Sequence, residues 1–214
     1  MSLYVPSHFR VDDLDAVQAF VSRHAFGTLV TAGPGGLHVS HIPFVVERAE
    51  GGALRLLGHV ARANPHAKAL ESATELVAIF QGPHGYVSPT WYENHPSVPT
   101  WNYAVAHLHG RATPLDEAGL RALLEKLSST YEAGRPNAWR LDAAPADFID
   151  KMIGVISGFS IAVERVEAKF KLSQNRPGKD AERVVDALES EGERELAALM
   201  REHLPNRQEV KSTS

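Results

Sequence analysis

Between His84 and Tyr103 the chain concentrates side chains suited to holding a small flat molecule. Tyr86, Trp91, Tyr92, Trp101 and Tyr103 offer ring faces, while Ser88, Thr90, Thr100 and Asn102 offer hydroxyls and an amide. Aromatic faces stack on a planar ligand, and hydroxyls and amides bond its edge. The plainer reading is an irregular loop, turned by Pro89 and Pro99 and pinned by tryptophans over a sheet. Two further segments suit an anion. Arg62 and Asn64 lie just before Pro65, where a helix is expected to begin. A guanidinium fork beside free backbone N–H groups would meet a phosphate there, although an exposed arginine and an ordinary helix cap would look the same. Lys171, Ser173, Gln174 and Asn175 follow a long strand, where either a ligand rim or a capped strand exit would lie.

The 11 histidines raise the question of a metal. His107 and His109 alternate onto one face of a strand, and His38, His41 or His59 could add a third ligand. No carboxylate sits at a telling spacing, so no metal site is expected. A heme ligand among these histidines is a related alternative. The glycine cluster Gly33-Pro34-Gly35-Gly36 lacks the Lys-Ser/Thr ending of a phosphate loop and leads into no helix, so it reads as a hairpin turn. Gly154-Val155-Ile156-Ser157-Gly158 has the wrong spacing for a nucleophile elbow. With no cysteine, disulfides, thiolate metal sites and thiol catalysis are excluded. No residue stands out as a catalytic acid, base or nucleophile.

Composition places these segments in a globular chain of 214 residues with 43% apolar and 22% charged residues. A net charge of -4 argues against a broad basic face for nucleic acid or anionic membrane. The N-terminus lacks a basic region followed by an apolar run, and no apolar run approaches the roughly 20 residues needed to span a bilayer. A cytoplasmic protein is expected.

The elements that must position these residues follow from periodicity. Asp12 or Asp13 caps a helix to about His24, with Leu14, Val17 and Val21 on one face. Strands are expected over Phe26–Ala32 and Leu37–Glu47 around the glycine turn, then over Ala53–Val60. Asn64 and Pro65 open a short helix to about Glu71. Leu76–Gln81 is apolar on both faces, as in a central strand, and the aromatic loop follows it. Asn102–Ala112 reads as a strand with Tyr103, Val105, His107 and His109 on one face. Leu120, Leu123, Leu124 and Leu127 mark a helix from Asp116 to Tyr131. A loop, a short helix from Pro145 and a long strand over Val155–Lys171 come next, before helices over Asp180–Ser190 and Glu193–Leu204. The tail from Pro205 is expected to be disordered. The pattern predicts a single domain over 1–204, mainly β in the α+β sense, with an antiparallel sheet closed into a barrel and flanked by helices.

Five segments taken together resemble one family. Tyr4-Val5-Pro6-Ser7-His8-Phe9, Ser40-His41-Ile42-Pro43-Phe44, Gly58-His59-Val60-Ala61-Arg62-Ala63-Asn64-Pro65, Val98-Pro99-Thr100-Trp101-Asn102-Tyr103 and Lys171-Leu172-Ser173-Gln174-Asn175 are similar to the PaiB-type FMN-binding proteins, often labelled negative transcriptional regulators. Each motif is short, but they occur in order across nearly the whole chain. The resemblance implies a flavin-reductase-like split barrel and a homodimer with FMN in a groove at the interface. Carried onto this sequence, Arg62 and Asn64 would lie on the phosphate side with His59 near them. Ser88, Trp91, Tyr92, Thr100, Trp101 and Asn102 would lie around the ring or ribityl chain. Lys171, Ser173, Gln174 and Asn175 would close the site, from the same or the other subunit. A flavin-dependent oxidoreductase acting on a small molecule is one expectation, and a flavin-linked regulator of transcription another. A heme-handling split barrel and a cofactor-free regulator acting through a protein partner are the alternatives. Direct DNA binding is not expected, because Glu189, Glu191, Glu193 and Glu195 crowd the join of the last two helices.

Overall fold

The computed structural model describes residues 3–33, 35–72 and 75–204. Seven strands form a sheet in the order β2-β1-β5-β6-β7-β4-β3. These are β1 (Phe26–Gly33), β2 (Gly36–Pro43), β3 (Val45–Arg48), β4 (Leu54–Ala61), β5 (Leu76–Val87), β6 (Thr100–Pro114) and β7 (Ile156–Lys171). The helices are α1 (Leu14–Arg23), α2 (Pro65–Ser72), α3 (Glu117–Glu132), α4 (Ala146–Ile153), α5 (Gly178–Ser190) and α6 (Arg194–His203). The pairings of β1 with β2, β1 with β5, β3 with β4 and β4 with β7 are all antiparallel. Expected strands and helices therefore form. Asp13 and Asp116 cap α1 and α3 as their positions suggested, accepting from the N–H groups of Asp15 and Gly119.

Two boundaries differ from the sequence reading. The single strand expected over Leu37–Glu47 breaks after Pro43, which has no N–H for the ladder. Phe44 then turns inward onto Phe80 and Phe159, at centroid distances of 5.3 and 6.4 Å. The expected loop around His84-Gly85-Tyr86-Val87 is instead the second half of β5. Gly85 and Val87 are buried there, while His84 and Tyr86 face outward. Glycine and proline hid that alternation. The tail from Pro205 lies outside the described residues.

The chain divides into two compact units. One comprises Asp13–Phe80 and Ala106–Val166. Its core includes Leu57, Leu120, Leu123, Leu127 and Ile153, with Val45, Leu115 and Ile156 packed beside them. Gly110 is required there, since a Cβ at that position would stand 2.0 Å from the Ala162 carbonyl oxygen. One face of the β2-β1-β5 portion packs inward through Leu29, Thr31, Ser40, Ile42 and Ala78. The opposite face pairs Phe26 with Pro43, Thr28 with His41, Val30 with Val39 and Ala32 with Leu37, and continues to Val77 and Ile79. It carries no formal charge among these pairs, yet Leu37 is 74% and Phe26 68% exposed.

The other unit comprises Met1–Asp12, Gln81–Val105 and Glu167–Ser214. Val184, Val185 and Leu188 of α5 and Leu196 and Met200 of α6 are buried in it. Gly85 lets α6 approach β5, because a Cβ there would sit 2.9 Å from the Leu196 side chain.

Candidate functional site

The predicted site residues fall into two groups, one in each unit. His59, Arg62 and Asn64 belong to the first unit, on β4 and the turn into α2. His59 and Asn64 line a groove with Ser40, His41, Pro43 and Ile156, whereas Arg62 lines a different cavity that also carries Glu71, Asp116, Glu117 and Asp150. Asn64 caps α2 as expected, its Oδ1 accepting the His66 N–H at 3.0 Å. That cap and its neighbours alter the anion argument. Pro65 has no N–H, the His66 N–H is taken by the cap, and the Ala67 N–H donates to the Asn64 carbonyl at 2.9 Å. The free backbone donors expected at this helix start are therefore largely consumed, and the Arg62 guanidinium is the anion donor that remains. Arg62 is exposed and gives one Nη2–H to the Ile156 carbonyl at 3.3 Å.

Beneath Asn64 runs a buried polar chain that the sequence did not announce. Asn64 Nδ2 donates to Ser40 Oγ at 3.3 Å, and Ser40 Oγ lies 2.8 Å from His66 Nδ1. On the other side of the ring His66 Nε2 lies 3.0 Å from Thr31 Oγ1, and the tautomer of His66 decides which atom of each pair donates. Burial, with His38 nearby, holds His66 below the usual histidine range and so keeps it neutral. His59 is also held low by burial, and its Nδ1 has no partner among the described residues. His107 and His109 do share one face of β6, with ring centroids 6.4 Å apart.

The second unit gathers the larger group. Lys171 reaches from the end of β7 to the Thr100 hydroxyl and to the Trp101 carbonyl oxygen, the latter at 2.9 Å. Asn102 Nδ2 donates to Ser173 Oγ at 2.9 Å, and the Asn102 Oδ1 is buried without a partner among the described residues. Trp101 is 53% exposed, with the His84 and Tyr86 rings at 6.3 and 6.2 Å. Thr100, Trp101, Asn102, Lys171 and Ser173 are thus brought together as the motifs suggested.

Other predicted residues take structural parts. Gln174 folds back on its own strand end, accepting from Leu172 N and donating to the Phe170 carbonyl. Asn175 points to solvent. Ser88 caps the short turn at Pro89–Trp91. Tyr92 is buried, its ring 4.2 Å from the Arg176 guanidinium. The Trp91 carbonyl accepts from Arg183 Nε at 2.8 Å. This loop is anchored by Asp180, which takes the Glu93 N–H at 2.8 Å and Asn94 Nδ2 at 3.1 Å.

Lys171 makes no ion pair among the described residues, and its neighbours are also cations. Burial, then Lys169 and Arg176, pushes its ammonium below the usual lysine range. Sequence reasoning missed Lys169 and Arg176, although the Lys-x-Lys alternation on a strand was a signal that both lysines share a face. A half-buried cation with like charges beside it and a hydroxyl at hand is suited to an anion. The neighbouring exposed indole is suited to a flat ring. Together they fit a phosphate-bearing planar cofactor.

Known proteins give the same answer from outside. Residues 3–165 match the family described as "Putative FMN-binding domain". Over 205 residues the chain is 33% identical to "Protease synthase and sporulation protein PAI 2" of Bacillus subtilis, covering 94% of this chain and 98% of that one. Among solved structures, the flavocytochrome Anf3 from Azotobacter vinelandii superposes with a TM-score of 0.60 at 20% identity, over 78% of this chain and 72% of that one. A FAD and heme binding protein from Mycobacterium smegmatis gives 0.58 at 18% identity, over 76% and 73%. At these identities the two structures speak for the fold, which is the split barrel the sequence suggested.

Proposed function

The chain belongs to the PaiB-type FMN-binding family, and from that premise we propose that it binds FMN and works as a flavin-dependent oxidoreductase or flavin-linked regulator. The observation that carries this reading is the Lys171 ammonium, which lacks a counter-ion among the described residues and is held by Thr100 and Trp101 beside an exposed aromatic face. Lys171 and Thr100 would hold the phosphate, and Trp101 with Tyr86 would lie along the ring. FMN supplies the electron transfer; the chain's own contribution is to bind, orient and shield it.

The partner most consistent with this reading is a second copy of the chain, with the cofactor at the interface. The uncharged face bearing Phe26, Leu37 and Val39 supports it, since an apolar sheet face of that kind is normally covered. A regulatory role would act through the flavin or a protein partner. The acidic join between α5 and α6 offers nothing to a phosphate backbone. Among the described residues, no helix is long and apolar enough to cross a membrane.

The test is an absorbance spectrum of the protein after incubation with FMN and desalting. A retained flavin band is expected, weakened by Lys171→Met. A colourless wild-type protein would end the proposal.

A further inference from the structure

Lys169 is a buried cation to which the FMN reading as stated gives no part. It is 7% exposed, and its Nζ donates to the Tyr4 carbonyl at 2.9 Å. The Tyr4 and Tyr103 rings flank it, with centroids 5.5 and 5.2 Å from Nζ. No carboxylate lies within ion-pair distance of it among the described residues. A carbonyl and two ring faces satisfy its hydrogen bonding and part of its charge, yet a buried ammonium without a counter-ion is unfavourable. The N-terminal segment keeps it so. Leu3 N donates to the Glu167 carboxylate at 3.3 Å, Val11 N donates to the Ala168 carbonyl at 3.1 Å, and Arg10 bridges to Lys169 itself. Two positions on, Lys171 stands on the same face of β7, and Arg176 adds a third positive charge. Glu167 shares that face and Asp180 feels the Arg176 charge, but neither carboxylate forms an ion pair with Lys169 or Lys171 among the described residues, so the two ammonium groups repel one another until an anion arrives.

We propose that Lys169 is a specificity-determining residue: its shielded charge makes this site prefer the phosphorylated flavin over the same flavin without phosphate. This rests on the FMN reading above. Lys169 acts through its field and not by contact, because its Nζ is already held by Tyr4 and its surface is closed to solvent. A phosphate beside Lys171 would feel that field with little screening, and removing it should cost about tenfold or more in affinity. The plainer role, a cation stapling the N-terminal segment to β7, predicts no difference between the two flavins.

The experiment titrates FMN and riboflavin separately into wild-type protein and variants, reading flavin fluorescence. Wild type should bind FMN more tightly than riboflavin. Lys169→Met should weaken FMN about tenfold or more and leave riboflavin unchanged, while Lys169→Arg keeps the preference. Tyr4→Ala changes a residue that is 82% exposed and so preserves the fold while wetting the lysine. It should weaken FMN several-fold and spare riboflavin. Equal losses for both flavins, or no loss for either, would overturn the assignment. Wild-type protein that binds both flavins equally would overturn it too while leaving flavin binding intact, and wild-type protein that binds neither removes the FMN reading itself.

Discussion

Asn102 Nδ2 donates to Ser173 Oγ across 2.9 Å, joining positions 71 residues apart in the chain. Ser173 is buried and holds a left-handed backbone, with φ of 67°. A non-glycine residue there carries strain of about 1 kcal/mol or more, which the surrounding contacts must offset. Asn102→Leu removes the donor and strands the serine hydroxyl, so a loss of about 1–3 kcal/mol is expected in urea unfolding. Ser173→Gly relieves the backbone while losing the same bond. It should therefore be milder than Ser173→Ala, and the reverse order would refute the role given to the strain.

Asp180 fixes the loop that carries Trp91 and Tyr92. Burial opposes its ionisation, but the donors from Glu93 and Asn94 outweigh that and hold its carboxyl below the usual range. A depressed carboxylate contributes stability above its unfolded value of 3.8, and that contribution disappears as pH falls through the folded one. Asp180→Asn should release residues 88–97 to limited proteolysis at neutral pH and flatten the acid limb of the stability curve. Unchanged cleavage would argue that Arg176 and Arg183 hold the loop without it.

His59 and His66 are both held below 6.5 by burial, His66 also by His38. The folded state then binds fewer protons than the unfolded chain just under that value. The stability these residues contribute is complete above pH 6.5 and is lost as pH falls towards their folded values. The melting temperature should decline on acidification from pH 7 to 5, and His66→Asn should reduce the slope. Asparagine keeps a hydrogen-bonding group for Ser40 but does not titrate.

The uncharged sheet face supplies a test of assembly. Val39 pairs with Val30 at its centre and is 56% exposed. Light scattering should report a dimer for the wild type and a monomer for Val39→Asp, because a carboxylate buried in an apolar contact is strongly unfavourable. A folded monomer for both would remove the proposed partner.

Residue order alone determined most of the architecture. Leucines at helical spacing set α3, aspartates set the starts of α1 and α3, and five short motifs in register identified the family. These are local or linear properties, and they survive without knowledge of any distant contact. What the sequence left open was which polar groups remain available to a ligand. Arg62 and Asn64 looked like one anion cradle, but the backbone donors beside them are consumed by the cap and the turn. Gln174 and Tyr92 looked like ligand contacts, yet one folds back on its own strand and the other stacks under Arg176. Lys169 drew no notice in the sequence, and its burial depends on Tyr4, 165 positions away, whose carbonyl takes its ammonium. A side chain's chemistry is written in its type, whereas its burial, its partner and its charge environment come from segments far off in the chain. Only the folded structure could decide those.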